Sequence, residues 1–216
     1  MYLLKEPLVF PPVEYADEQG LLAVGGDLSV ERLELAYQNG IFPWYAEGEP
    51  ILWWSPNPRM VLFPARLKVS KSMKQLFNQE KFQVTHNQNF SEVIEACAKI
   101  SRKGQEDTWI TATMIQAYKN LHEKGLAHSV EVWEDQQLVA GLYGIWLKNQ
   151  HVFCGESMFT KVSNASKYGF IWWVQKLAEK GVGLIDCQVY TSHLASLGAE
   201  EISREEFLSF LTNDGA

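Results

Sequence analysis

The chain has 216 residues, of which 46% are hydrophobic and 21% charged, and its formal net charge is −7. This is ordinary globular composition, long enough for one large domain or for a core domain with a smaller one. No apolar run approaches the ~18 residues of a membrane span, and the start lacks a basic segment followed by an apolar one, so we expect neither a membrane helix nor a signal peptide. The three cysteines are far apart and form no Cys-x-x-Cys pair. They therefore predict no disulfide framework and no metal site, and they favour the cytoplasm.

Residues 1–60 differ in composition from the rest, because they hold seven of the eight prolines. One helix is predicted there, with Ser29 as its N-cap and Gly40 just after its end. Because proline fixes φ and lacks an N–H, the aromatic stretches 41–45 and 51–59 are predicted to be stiff loops. Their tryptophans either fill the core or line a pocket for an apolar or planar ligand. We predict a small N-terminal α+β domain over 1–60 and a second domain over 61–216.

Residues 59–81 form a basic segment on an acidic chain. Six basic side chains stand there against the single acidic residue Glu80: Arg59, Arg66, Lys68, Lys71, Lys74 and Lys81. Such a cluster can steer a polyanion to one face of a protein. A solvated helix face is the other interpretation, and the pattern alone does not separate the two.

From residue 60 onward, hydrophobic periodicity predicts alternating helices and strands. The predicted strands are 60–63, 82–85, 128–133, 138–146, 151–159 and 184–190, and the predicted helices are 71–78, 92–103, 112–124, 164–180 and 193–197. This pattern is typical of an α+β domain with helices on both faces of a mixed sheet. The meander of three strands, the long helix and the strand after it resemble the second half of a GNAT-type acyltransferase. In that fold the strands before and after the long helix splay apart around the acyl donor.

The strand predicted at 184–190 carries two polar side chains among apolar ones. Strand alternation predicts that Asp186 and Gln188 share one face, whereas Ile185, Cys187 and Val189 share the other. Burying a carboxylate and an amide without partners is costly. They form either a satisfied structural network or a polar site at the mouth of the sheet, where Glu156 of the neighbouring predicted strand is expected nearby.

A series of short blocks occurs along the chain: Gly-Gly-Asp-Leu-Ser (25–29), Gly-Ile-Phe-Pro-Trp (40–44), Trp-Trp-Ser-Pro-Asn-Pro-Arg (53–59), Thr-Trp-Ile-Thr (108–111), Phe-Cys-Gly-Glu-Ser-Met-Phe (153–159), Asn-Ala-Ser-Lys (164–167) and Asp-Cys-Gln-Val (186–189). Together and in this order they resemble the leucyl/phenylalanyl-tRNA–protein transferase family. That resemblance implies transfer of Leu, Phe or Met from aminoacyl-tRNA to the α-amine of proteins that begin with Arg or Lys. The product would be a signal for N-degron proteolysis. The resemblance also implies a GNAT-like core without CoA or any other cofactor, and we expect a cytoplasmic monomer.

The same resemblance implies roles for the polar residues. An aminoacyl ester is already activated, so the enzyme has only to place a neutral amine, pass a proton and support the oxyanion. Gln188 is predicted to orient the attacking amine, with Asp186 holding and polarising Gln188. Glu156 is predicted to pair with the cationic acceptor residue or with the adenosine ribose, and a purely structural role stays open for it.

Two further sets of residues follow from the resemblance. The predicted slot for the acyl side chain comprises Trp44, Trp109, Met158, Phe170, Trp173 and Ile185. In this slot Trp173 is expected to narrow the space, although each aromatic residue could equally be core filler. The predicted tRNA-binding residues are Arg59, Arg66, Lys68, Lys71 and Lys74.

Three alternatives remain at this stage. Cys187, His193 and Asp186 could form a thiol hydrolase site, although alternation places Cys187 on the face opposite Asp186. A CoA acetyltransferase is disfavoured because residues 160–166 contain no glycine for the turn that holds pyrophosphate. A module that binds tRNA or a degron without catalysis is the third alternative.

Overall fold

The computed structural model describes residues 2–5, 7–100 and 110–212. Its N-terminal part contains the strands β1 (Tyr2–Leu4), β2 (Leu21–Gly25), β3 (Phe42–Pro43) and β4 (Leu52–Trp54), which pair in the order β1-β2-β4-β3. The prediction of loops over 41–45 and 51–59 is therefore wrong in part, because each stretch contributes a short strand. Proline is compatible with pairing at Pro43 because β3 is an edge strand.

Helix α1 (Val30–Gln38) begins and ends as the sequence predicts. The Ser29 hydroxyl accepts a hydrogen bond from the Arg32 N–H, which satisfies one of the free donors of the first turn. Gly40 follows the helix with a φ of 70°, a left-handed conformation that glycine adopts without steric cost. The chain can therefore turn directly from α1 into β3.

The larger sheet has seven strands in the order β11-β5-β10-β9-β8-β7-β6. They are β5 (Arg59–Leu62), β6 (Gln83–His86), β7 (Ala127–Glu134), β8 (Gln137–Leu147), β9 (Val152–Thr160), β10 (Leu184–Gln188) and β11 (Glu200–Ile202). Within the described ranges β9 and β10 pair in parallel, and the other neighbours in this sheet are antiparallel. Helix α5 (Ala165–Glu179), which connects β9 to β10, is the crossover that a parallel pair requires.

The remaining helices are α2 (Lys71–Asn78), α3 (Phe90–Lys99), α4 (Ala112–Glu123), α5 (Ala165–Glu179), α6 (Ser192–Ser196) and α7 (Arg204–Thr212). These helices, together with α1, pack into two apolar cores. Helices α1, α3, α4 and α7 and the small sheet share one core, and α2, α5 and α6 contribute to the other. The prediction of an α+β fold with a mixed sheet and helices on both faces is confirmed.

The remaining differences from the predicted elements are local. Helix α3 begins at Phe90 with Asn89 at the N-cap position, so the predicted start at 92 with a Ser91 cap is wrong. Strands β1, β2 and β11 and helix α7 were not predicted. The predicted domain boundary at 60/61 falls inside β5, which belongs to the larger sheet, and the division into two domains stays a prediction.

Candidate active site

The neighbouring strands β9 and β10 each contain a β-bulge near the point where their parallel pairing ends. The pairing runs from Leu184 opposite Val152 to Asp186 opposite Cys154, and β9 then continues while β10 ends. Each strand carries one extra residue relative to its antiparallel neighbour, Glu156 in β9 and Cys187 in β10. Such β-bulges bend a strand and redirect side chains, and they are frequent beside active sites.

A cavity of about 660 Å³ lies where the two strands separate. Its walls are mainly apolar and comprise residues 42–44, Leu142, Tyr143, Phe153, 155–158, Phe170, Ile185, 187–189, Thr191, His193 and Leu194. This volume is in the range of small-molecule sites, which combine apolar walls with a few polar groups. The small sheet, β8, β9, α5 and β10 all contribute, so the cavity exists only in the folded chain.

The bulge in β10 separates the two polar residues that alternation placed together. Asp186 is opposite Val61 and Gln188 is opposite Met60, and because these two partners are consecutive they point to opposite faces. Gln188, with Ile185 and Cys187, lines the cavity, whereas Asp186 does not. The prediction that Asp186 and Gln188 share a face is therefore wrong, because strand alternation does not hold across a bulge.

Asp186 is instead fully buried against an arginine of β5. Arg59 donates from Nε to Asp186 Oδ1 at 2.8 Å and from NH2 to Oδ2 at 2.7 Å, and both side chains are about 1% exposed. The prediction that Arg59 contacts tRNA is wrong, because a buried guanidinium in a bidentate ion pair is not accessible to a phosphate. Its position in the basic segment gave no indication of this contact, since the two residues are 127 positions apart.

The backbone of Gln188 is held by a hydrogen bond, whereas its side-chain nitrogen has no partner in the described part of the chain. Its φ is 58°, uncommon for a residue other than glycine, and its N–H donates to Asp186 Oδ1 at 3.0 Å. The side-chain Nε2 is buried and has no hydrogen-bond partner among the described residues. A buried amide donor without a partner is a candidate contact for a bound ligand.

Glu156 has one carboxylate oxygen bonded and one free. Oε2 accepts a hydrogen bond from the Tyr118 hydroxyl at 2.8 Å, and the Tyr37 and Tyr118 hydroxyls are 2.5 Å apart. Oε1 is buried and has no partner within residues 2–5, 7–100 and 110–212. Burial raises the pKa of the Glu156 carboxyl to about 7, although the hydrogen bonds from Tyr118 and Tyr37 act to lower it. Sequence reasoning missed this tyrosine pair, because both residues occupy apolar positions of helices α1 and α4.

The predicted acyl-binding residues fall into three groups. Trp44, Met158, Phe170 and Ile185 are in the cavity wall. Trp173 is not in the described wall; it is 1% exposed, stacks on His86 at 4.5 Å and packs behind Phe153, so the prediction that it narrows the slot is wrong. Trp109 lies outside the described residues.

The predicted tRNA-binding residues other than Arg59 lie on α2 or just before it. Lys68, Lys71 and Lys74 are exposed, and Ser70 caps the helix through the Met73 N–H. Arg66 is also exposed but forms an ion pair with Glu200. These four side chains, without Arg59, are the ones that remain available to a phosphate backbone.

The sequence matches two family models in chain order. The model described as "Leucyl/phenylalanyl-tRNA protein transferase" matches residues 61–212, and the model of that family's N-terminal domain matches residues 26–57. The chain belongs to the leucyl/phenylalanyl-tRNA–protein transferase family. It is therefore an aminoacyltransferase.

Relatives of that family align over nearly the whole chain. A leucyl/phenylalanyl-tRNA–protein transferase of Christiangramia forsetii is 64% identical over 98% of this chain and 100% of its own length. One from Pectobacterium carotovorum is 54% identical over 97% of this chain and 88% of its own. Among solved structures, L-PGS from Bacillus licheniformis aligns with 81% of this chain and 57% of its own at 12% identity and a TM-score of 0.43. A GCN5-related N-acetyltransferase from Kribbella flavida aligns with 79% of this chain and 60% of its own at a TM-score of 0.39.

The environment of Cys187 argues against the alternative of a thiol hydrolase. Cys187 and His193 both line the wall, but burial raises the pKa of the Cys187 thiol far above its usual range, and nearby Asp186 raises it further. Its Sγ donates to the Ile185 carbonyl at 3.8 Å. A thiol in this environment is not activated as a nucleophile.

The described ranges contain neither a metal-binding cluster nor a membrane-spanning helix. There, no three His, Cys, Asp or Glu side chains approach one another closely enough to hold a metal ion. The described helices are also too short or too polar for any of them to cross a bilayer.

Proposed function

We propose that the cavity binds the aminoacyl end of Leu-, Phe- or Met-tRNA and that the enzyme transfers this residue to the α-amine of proteins beginning with Arg or Lys. One observation carries the proposal. A buried donor without a partner, Gln188 Nε2, and a buried acceptor without a partner, Glu156 Oε1, line the same apolar cavity in the described part of the chain. A carbonyl oxygen and an amine are the groups that complement such a pair.

The apolar wall would hold the side chain of the transferred residue. Met158 and Phe170 face the cavity, and a methionine repacks at low cost against ligands of different shape. Leu, Phe and Met differ in shape but all are apolar. Trp44 is 40% exposed at the mouth, where an adenine ring could stack on it.

The reaction needs no cofactor, because the ester bond to tRNA is already activated. The amine nitrogen attacks the ester carbonyl carbon, the bond to the ribose oxygen breaks, the nitrogen loses a proton and the ribose oxygen gains one. Gln188 Nε2 is a donor, so it suits the developing oxyanion better than it suits an ammonium group. Glu156, with a pKa of about 7, is suited to accept the proton of an α-amine, whose pKa is about 8.

Other described residues would contact the remaining parts of the two substrates. Among the described residues of the wall, Glu156 is the acidic one, and its charge favours a cationic acceptor. Lys68, Lys71 and Lys74 offer phosphate contacts for the acceptor stem. The product, a protein that begins with Leu or Phe, would enter N-degron proteolysis.

The test mixes the purified protein with labelled Leu-tRNA and a peptide that begins with Arg. We expect the peptide to gain the mass of one leucine residue at its N-terminus, and a peptide that differs only by an initial Asp to stay unchanged. Free leucine together with uncharged tRNA replaces Leu-tRNA in the control. Binding of Leu-tRNA without transfer would contradict the proposal and support a binding module, and release of free leucine would indicate a hydrolase.

A further inference from the structure

Arg59 connects three parts of the molecule through one buried guanidinium group. Besides its two bonds to Asp186, it donates from NH1 to the Gly40 carbonyl at 3.1 Å. The group lies over the rings of Phe42 and Phe207, 4.9 and 4.5 Å from their centroids. It therefore contacts the start of β3, helix α7 and strand β10 at once.

Two of these contacts connect Arg59 to residues of the cavity wall. Phe42 lines it from the small sheet. Asp186 leads to Gln188, because Asp186 Oδ1 accepts both the Arg59 Nε–H and the Gln188 backbone N–H. The Arg59–Asp186 ion pair thus links Phe42 in the apolar wall to Gln188, which lines the same cavity.

The backbone of Gln188 requires such support. A positive φ in a residue with a side chain is strained and persists only when the surroundings hold it. The bond to Asp186 Oδ1 supplies that restraint. Asp186 can supply it only while Arg59 compensates its buried charge, because removing one member of a buried pair leaves an uncompensated ion.

We propose that Arg59 is a positioning residue of the transfer reaction: through Asp186 it holds the Gln188 backbone at positive φ and aims the Gln188 amide into the cavity. The negative charge of Asp186 then takes no part in proton transfer, since both of its oxygens are bonded on the face away from the cavity. This inference rests on the proposed role of Gln188 in the cavity.

A double-mutant cycle tests the proposal. Arg59→Gln and Asp186→Asn each leave one charge uncompensated, and each should slow the single-turnover rate at saturating Leu-tRNA by about 100-fold. The double variant R59Q/D186N is neutral and still offers an oxygen to the Gln188 N–H. Its rate should return to within about tenfold of wild type, a non-additivity expected for residues in contact. If the double variant is as slow as Asp186→Asn, the charge of Asp186 is needed for chemistry and the proposal is wrong.

Arg32 provides a matched control. It is also a 1% exposed arginine with an aspartate partner, Asp27 at 3.2 Å, and it is not in the described cavity wall. Arg32→Gln should lower the melting temperature yet leave the single-turnover rate of the folded protein unchanged. If Arg32→Gln and Arg59→Gln lose the same fraction of the rate, the loss arises from lower overall stability and the proposal is overturned.

Arg59→Lys decides the question if the double variant does not fold. It keeps the charge but loses the two-pronged geometry. We expect a folded protein with the wild-type affinity for Leu-tRNA, a rate lower by about tenfold or more and an unchanged pH midpoint of the rate. A wild-type rate in folded Arg59→Lys would overturn the proposal. An inactive wild-type enzyme would instead contradict the proposed function, so the two failures are distinguishable.

Discussion

Two glutamates of the larger sheet, the fully buried Glu131 on β7 and the half-buried Glu156 on β9, differ in how completely their oxygens are bonded. Glu131 is fully buried, and its two oxygens accept hydrogen bonds from Ser129 Oγ at 2.5 Å, Thr85 Oγ1 at 2.6 Å, Asn89 N at 3.2 Å and Gln88 N at 3.4 Å. Glu156 has Tyr118 on one oxygen and no described partner on the other.

The difference indicates which carboxylate is structural and which is available. A buried carboxylate that accepts several hydrogen bonds has recovered most of what it lost on leaving water. Glu131 therefore joins β6, β7 and the start of α3. Glu156 retains an unused acceptor in the cavity, so a ligand can complete its hydrogen bonding.

Substitution of each glutamate by glutamine tests this comparison most directly. Glu156→Gln removes the proton acceptor and should lower the single-turnover rate by about 100- to 1,000-fold. Glu131→Gln places an amide donor among donors, so it should lower the melting temperature and leave the rate of the folded protein near wild type. Rates are measured below the melting temperature of each variant. A slow Glu131→Gln enzyme, or a fast Glu156→Gln enzyme, would reverse the assignment.

Gln188 provides the donor of the same site. Gln188→Ala should lower the rate by about 100-fold while leaving the affinity for Leu-tRNA within a few-fold of wild type, because the amide acts on the developing oxyanion. Affinity is measured by filter binding at equilibrium. Gln136→Ala is the matched control, since Gln136 lies in the turn between β7 and β8 and is exposed. A rate loss explained entirely by weaker binding would mean that Gln188 only holds the substrate.

The pH dependence of stability tests the state of Glu156 independently of the reaction rate. The pKa of Glu156 is raised to about 7 in the folded protein, so its buried charge lowers the free energy of unfolding as pH rises from about 4.5 through 7. Glu156→Gln removes this penalty. Relative to wild type, the variant should gain about 3 kcal/mol at most between pH 5 and pH 8. Urea unfolding at the two pH values measures the difference, and a constant difference would mean that Glu156 titrates normally.

The contrast between paired and unpaired groups extends to the positive charges of the basic segment. Arg59 is paired and buried, whereas Lys71 and Lys74 are exposed on α2. Charge reversal of both lysines should weaken binding of all tRNAs alike and reduce the salt slope by roughly one unit per lost phosphate contact. Lys124→Glu/Lys180→Glu makes the same change in net charge elsewhere on the surface. If this control reduces the slope equally, α2 is only a solvated face.

The smallest expected effects concern two aromatic residues of α5. Phe170 lines the cavity, whereas Trp173 packs behind Phe153. Phe170→Leu should therefore change the preference between Leu-tRNA and Phe-tRNA by about tenfold, and Trp173→Phe should not. Competition of the two tRNAs for a limiting Arg peptide gives the ratio. Trp173→Phe should lower stability instead, because it removes volume from a packed core. A shift in the ratio caused by Trp173→Phe would place Trp173 in the slot after all.

Much of the fold was predictable from local patterns. The strands β7, β8 and β9 and the helices α2, α4 and α5 carry clear apolar periods and capping residues such as Ser70 and Thr111. The strands β3, β4 and β11 were not predictable, because two or three residues are too short to show a period. The resemblance of short blocks indicated the family, which the comparisons confirm.

The candidate site likewise has parts that local sequence predicts and parts that only the tertiary structure shows. Local sequence is sufficient to name Asp186 and Gln188, because a polar side chain in an apolar strand is conspicuous wherever the strand lies, whereas Glu156 was named through the layout of a GNAT-type fold. The bulge at Cys187 decides which polar residue of β10 faces the cavity, and this bulge arises from the pairing of β10 with β5. The partner of Asp186 is likewise a residue 127 positions away. Register and long-range ion pairs arise only when distant segments pack together, so Arg59 could be recognised as a buried support, and Trp173 as core, only in the folded chain.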